Sequence, residues 1–234
     1  MEFDTVIRSR RSIRGFRPDP VPVALLKEVI ELATRAPSSM NTQPWYFHVV
    51  SGEALDRIRQ GNTERNLAGV PASREIRVPG QYQGVHRERQ KAIAAQLFTA
   101  MDIDWGDKAR RQDWVLRGFR QFDAPVSIVV TFDESLGGND IAMFDCGAVV
   151  NSLVNAAWSR GLGTVINGQG IMQSPVVRKF ARIPEDQLIM SCVALGFPAD
   201  DFPANDVVST RRPVDEVVRF VGFPEAATRK SEAS

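Results

Sequence analysis

Residues 36–50 read APSSMNTQPWYFHVV: Pro37, a polar turn from Ser38 to Gln43, and then from Trp45 a short run of aromatic and branched side chains. The run predicts a buried strand. Just before it, Leu26, Val29, Ile30 and Ala33 recur at i, i+3, i+4 and i+7, which predicts a helix from about Val21 to Arg35 with one face in the core. Asp19-Pro20 marks its entry and Pro37 lies beyond its end. A core helix and a core strand are thus joined by a loop rich in Ser, Asn and Gln.

The same grammar continues outward. VSIVVTF (126–132) predicts a continuous apolar strand, and Ile141 to Arg160 a long helix that is apolar nearly all round, with Gly161 as its C-cap. Such a helix is buried on several sides, in the middle of a domain or against a second subunit. GTVIN (163–167) predicts a strand. Ser174 as N-cap and Pro175 at N1 open a helix through Phe180, and LIMSCVALG (188–196) is the last strong strand. Between these, Gly52–Arg59 predicts a short helix, Gln60 to Gly84 has weak periodicity, and His86–Met101 and Lys108–Gln121 predict two more helices. We therefore expect one domain, 1–234, with a helical insertion at about 61–122. Val217, Val218, Phe220, Val221 and Phe223 follow the last main element and need somewhere to be buried. Alternating helices and apolar strands point to α/β or α+β packing.

Composition excludes much. Of 234 residues, 43% are hydrophobic and 24% charged, the profile of an ordinary globule. Lys+Arg 29 against Asp+Glu 28 leaves a net +1, so no global field draws the chain to nucleic acid or an anionic membrane. The opening MEFDTVIRSRRSIRGF is charged and lacks an apolar leader, and no run approaches the roughly 18 apolar residues of a spanning helix. With Cys146 and Cys192 far apart, a reducing cytoplasm is expected. His48 and His86 are the two histidines, without HExxH or Cys-x-x-Cys spacing, which argues against a zinc site. No G-x-S-x-G elbow accompanies them, and His48 inside WYFHVV reads as a packed, satisfied imidazole. GLGTVINGQG completes neither a Rossmann nor a P-loop fingerprint.

Two constellations could carry chemistry. Arg10, Arg11, Ser12 and Arg14 fall within five positions. Arginine forks and a hydroxyl suit a phosphate dianion; a solvated basic helix end is the alternative. Pro37, Ser38, Ser39, Asn41 and Gln43 offer amides and backbone N–H groups to a polar planar ligand, or simply shape an ordinary connecting loop.

Taken together, RRSIRGF, APSSMNTQPWYFHVV, GLGTVINGQG and the Arg211-Arg212-Pro213 near the end resemble the nitroreductase family of flavoenzymes. The likeness is strongest to its NAD(P)H-dependent nitroaromatic reductases of actinobacterial and related type, and is absent from about Gly61 to Gly118. It implies an α+β fold of three layers, a central, mostly antiparallel sheet flanked by helices, in an intertwined homodimer with FMN at the interface. The C-terminal stretch of about 213–234 would then be a dimer-docking arm. By the same resemblance Arg10, Arg11, Ser12, Arg14 and Arg211 bind the FMN phosphate and ribityl region. Pro37, Ser38, Ser39 and Asn41 approach the flavin from the partner subunit, Gln43 either supports that loop or contacts the flavin directly, and Gly168 and Gln169 lie near its reactive N5 edge. Arg117 and Arg120 would serve the pyrimidine side.

The implied activity is ping-pong reduction of nitroaromatics, with quinones as further acceptors, by hydride transfer from NAD(P)H through FMN, without a catalytic side chain. Alternatives are a flavin-consuming or reductive dehalogenating enzyme of the same fold, or a non-catalytic flavin-binding protein. Acceptor preference would sit in the insertion. Its aromatics Tyr82, Phe98, Trp105, Trp114, Phe119 and Phe122 are candidate lining for a planar aromatic acceptor, with Trp114, Phe119 and Phe122 favoured.

Overall fold

Strand β2 (Val126–Asp133) is buried along nearly its whole length and sits between two neighbours, as its unbroken apolar run requires. Around it lie β1 (Trp45–Ser51), β3 (Gly163–Ile166) and β4 (Gln187–Gly196) in the order β1-β2-β4-β3, every pairing antiparallel. The computed structural model describes residues 1–76 and 80–224, so the expected arm is covered only to residue 224.

Helices cover both faces of the sheet. Ile128, Val130 and Phe132 of β2 face the cluster built by α2 (Val23–Ala33) and α6 (Asp140–Ser159), whereas Val129 faces the opposite cluster with α3 (Gly52–Leu67) and α7 (Ser174–Ala181). The period-2 alternation of a strand thus feeds two cores. Each of these side chains, at most 1% exposed, contributes about 1.5–3 kcal/mol of burial. This is the expected three-layer α+β arrangement. The remaining helices are α1 (Phe3–Ser9) near the amino end and, within the stretch expected to be an insertion, α4 (Gly84–Ala100) and α5 (Lys108–Phe119).

Several expectations shift. β1 is an edge strand with Tyr46 and Val49 exposed, because it pairs only with β2. His48 is satisfied as expected, with Nε2 within 2.7 Å of Gln187 Oε1 and 3.2 Å of Thr131 Oγ1. α3 does not stop at Arg59 but runs on through Gly61 to Leu67, into the stretch expected to be an insertion. α7 is capped by Gln173, one residue before the expected Ser174; the Ser174 hydroxyl donates to the Ser73 carbonyl instead.

By length and composition α6 can cross a membrane, with a mean hydropathy of 1.3, contrary to the expectation that no segment approaches that limit. Half of that window is buried inside the fold, against α2 and the sheet. A stripe is left open at Ile141 and Phe144, 77% exposed at the latter, and the C-terminal Val217, Phe220, Val221 and Phe223 are exposed as well.

Candidate active site

The N-terminal arginine segment is extended and lies along the free edge of β3. Ser12 bridges Thr164, and the Ile13 N–H donates to the Thr164 carbonyl at 2.9 Å. Extended backbone alternates its side chains, so Ile13 plugs the core at 1% exposure while Arg10, Ser12 and Arg14 share the other face. Asn205 secures the segment from about 190 positions away. Its Oδ1 accepts the N–H groups of Arg14 (2.7 Å) and Gly15 (3.0 Å), and its Nδ2 donates to the carbonyls of Gly15 and Ala199, both at 2.9 Å. A Cβ on Gly15 would stand 2.1 Å from the Phe202 ring, so only glycine fits there.

Three adjoining cavities of about 810, 220 and 700 Å³ meet at Arg14. Together they form a trough, roofed in part by Ile93 of α4. One end is basic and is lined by Arg10, Arg11, Ser12, Arg14 and Arg211. The middle runs over Thr164, Val165 and Ile166 of β3. The other end is aromatic, lined by Tyr82, Phe98, Trp114 and Phe122, with Gly168 and Gln169. The dimensions are those of a small-molecule or cofactor site.

Electrostatics single out the basic end. Among the described residues, Arg10, Arg14 and Arg211 form no ion pair with a carboxylate. Burial, and secondarily the Arg211 charge, lowers the pKa of Arg10; burial alone lowers that of Arg14. Desolvated cations without a counter-charge fit a dianion such as a flavin phosphate. Beneath the trough, the buried Thr164 Oγ1 has no hydrogen-bond partner. Arg11 differs from its neighbours. It lines the same end but pairs with Asp206 at 3.5 Å.

At the aromatic end, buried amides fix the floor. Asn167 Oδ1 accepts the N–H groups of Gln169 (3.1 Å) and Gly170 (3.3 Å), while its Nδ2 donates to the Gly118 carbonyl at 2.7 Å. Gln121, fully buried, donates to the Gly170 carbonyl at 3.1 Å, and Asn62 donates to the same carbonyl at 2.9 Å. The loop near the expected reactive edge is therefore held by side chains from three elements.

Residues 7–197 match the Nitroreductase family. The chain belongs to that family. It is 35% identical over 223 residues to a nitrobenzene nitroreductase of Ectopseudomonas oleovorans, covering 94% of this chain and 96% of that one. It is 30% identical over 229 residues to a 4-nitrobenzoate reductase of Nocardioides sp., covering 94% and 90%. The crystal structure of the FMN-dependent nitroreductase NfnB from Mycobacterium smegmatis in complex with NADPH superposes with a TM-score of 0.87 at 26% identity, covering 93% of this chain and 97% of that one.

Against the expected nitroreductase site, the structure brings Arg10, Arg11, Ser12, Arg14, Gly168, Gln169 and Arg211 to one trough, together with Trp114 and Phe122. Phe119 is a correction. It is 3% exposed and lines no part of the trough, because it closes α5 facing inward, where its carbonyl accepts from Asn62. Arg117 and Arg120 are not among the residues lining the trough. Arg117 pairs with Asp123 at 3.4 Å and donates to the Arg14 carbonyl, and Arg120 pairs with Asp113 and Asp123, so both are engaged in holding the scaffold.

The loop Pro37, Ser38, Ser39, Asn41 and Gln43 lies apart from this chain's trough. Buried Asp145 accepts the Ser39 N–H at 3.0 Å, and Ser38 Oγ accepts the Gln43 N–H. Met40, Asn41 and Gln43 have positive φ, and Met40 is 95% exposed. Left-handed conformations at non-glycine residues cost about 1–3 kcal/mol each and persist where function or surroundings require them.

Proposed function

We propose that this chain is an FMN-dependent oxidoreductase that reduces nitroaromatic compounds with NAD(P)H, its site assembled as follows. Arg10, Ser12, Arg14 and Arg211 hold the phosphate and ribityl region, with Arg11 at the rim. Gly168 and Gln169 present backbone to the ring. Trp114 and Phe122, with Tyr82 and Phe98, bound the slot for a planar aromatic. When bound, FMN supplies a ring that accepts hydride from reduced nicotinamide and returns electrons to an acceptor. The protein binds and orients the ring and its partners, without a catalytic side chain, and the proton that accompanies each hydride to the acceptor comes from solvent. Buried Cys146 and Cys192, each with its thiol pKa pushed up to about 12 by desolvation, are unsuited to nucleophilic work.

A second copy of the chain completes the site in this reading. The strained, exposed loop 37–43, the bare α6 stripe and the apolar C-terminal residues are surfaces a lone chain leaves in water, and a homodimer covers them. Free thiols and nicotinamide chemistry suit a reducing cytoplasm.

The observation that carries the proposal is the pair of desolvated arginines, Arg10 and Arg14, without a carboxylate partner, in a trough that continues into an aromatic slot. Its test is the visible spectrum of the purified protein, with sedimentation equilibrium on the same sample. A flavin band should bleach with NADPH or NADH under anaerobic conditions and return with nitrobenzene, and Arg14→Ala should lose the bound FMN. A protein that takes up no FMN, or an Arg14→Ala variant that keeps it, overturns the assignment.

A further inference from the structure

We infer that Arg74 is a specificity-determining residue that recognises a carboxylate carried by the aromatic acceptor. This deepens the nitroreductase reading above and rests on it. Arg74 lines the aromatic end of the trough, and a Cβ built on Gly168 would lie 3.5, 3.8 and 3.9 Å from its Nη2, Nη1 and Cζ. The guanidinium therefore lies against the glycine that borders the reacting ring.

Its backbone is held on both sides. The Ser73 N–H donates to the Met172 carbonyl at 2.8 Å, and the Ser73 carbonyl accepts from the Ser174 hydroxyl. Glu75 turns the opposite way. It pairs with Arg178 at 2.6 Å and accepts the Ile189 N–H at 2.7 Å, both acidic and basic partners being 16% exposed. Glu75 is thus committed elsewhere and does not neutralise its neighbour.

Arg74 itself has no hydrogen bond or ion pair among the described residues, and no Asp or Glu lines that end of the trough. A cation carried on an anchored stretch of chain, in an aromatic slot without an anion, selects a flat ligand bearing negative charge. Two anions could reach it: a carboxylate on the acceptor ring, or a phosphate of the nicotinamide nucleotide. Its place facing Gly168 in the same cavity puts the guanidinium beside the ring-binding floor, which favours a substituent on the stacked ring itself.

The test compares the FMN-loaded wild type with Arg74→Gln and Arg74→Lys. Binding of benzoate and benzamide, which are not reduced, is read from perturbation of the flavin spectrum. Turnover of 4-nitrobenzoate and nitrobenzene is measured alongside, with KM for NADPH and NADH. A charge-assisted contact predicts that wild type prefers benzoate to benzamide by about tenfold or more. Arg74→Gln should abolish that preference, lower kcat/KM for 4-nitrobenzoate by a similar factor and leave nitrobenzene within about twofold. Arg74→Lys should keep much of the preference. Equal binding of the two probes by wild type overturns the inference, as does equal loss for both acceptors in Arg74→Gln, or a defect confined to KM for the nucleotide. Failure of wild type to reduce nitrobenzene overturns the nitroreductase reading instead, so the two failures are separable.

Discussion

Asn205→Ala removes a side chain that is 5% exposed and serves four backbone groups: the N–H of Arg14, the N–H of Gly15 and the carbonyls of Gly15 and Ala199. Each unmet buried group costs about 1–3 kcal/mol. The segment borders a water-accessible trough, so some groups regain a partner, and we expect a net loss of about 3 kcal/mol rather than the full sum. In a chain of 234 residues, each 1 kcal/mol moves Tm by about 2–4 °C. Thermal unfolding followed by circular dichroism should therefore show a fall of about 6–12 °C. Because Arg14 is hung on this side chain, FMN affinity measured by quenching of flavin fluorescence should fall about tenfold. Asn205→Asp keeps the acceptor and loses the donor, so it should fall between. A Tm within about 2 °C of wild type would show that these bonds do not secure the segment. A lowered Tm with unchanged FMN affinity would show that the arginines are positioned by something else.

Two further outcomes follow from the buried floor and the thiols. A Cβ on Gly170 would meet Gln121 Nε2 at 2.3 Å inside a filled network, so Gly170→Ala should destabilise by about 1–3 kcal/mol, and an unchanged urea midpoint would refute the packing argument. Burial raises the pKa of Cys146 and Cys192 to about 12, above the ordinary thiol value. From about pH 8.5 upward the unfolded chain loses these protons while the native one keeps them. Stability should therefore fall as pH rises from 9 toward 12, by about 1.4 kcal/mol per pH unit per thiol. Urea titrations at pH 8, 9 and 10 check the slope, and native thiols that react readily with a disulfide reagent at pH 8 would contradict their burial.

What the sequence discloses depends on how local the cause is. α2 and β2 are legible because their burial patterns repeat within a few residues, and the arginine segment because its charges are contiguous. α3 is misread for a physical reason. Its buried positions are Leu55, Ile58 and Asn62, a proper helical stripe whose third member is an amide, so the apolar periodicity stops while the helix continues. Asn205 and Gln121 act on backbone far away in the chain, and nothing in their neighbourhoods announces it. Phe119 looks like a slot residue by type, yet its place at the end of α5 turns it inward. Arg74 falls in the weakly periodic insertion. Its two neighbours' contacts, made with α7 and β4, give it meaning.

The arginines also bear on how the fold and its ligand depend on one another. Arg10 and Arg14 belong to the N-terminal segment, Arg211 to the chain after the last strand, and their charges converge over β3 without a carboxylate between them. Folding therefore brings like charges together and strips Arg10 and Arg14 of water, which lowers their pKa and opposes closure of the trough. A ligand with a phosphate reverses the sign of that term, since each guanidinium then gains the partner its burial lacks. By linkage, such a ligand, binding the native state alone, stabilises it by an amount that rises with the logarithm of its concentration. The parts it stabilises most are those that carry the charges: the segment along β3, the Asn205 anchor and the stretch around Arg211. Binding and local order at this end of the trough are, on this argument, one equilibrium, set by the charges of Arg10 and Arg14, which no carboxylate pairs among the described residues.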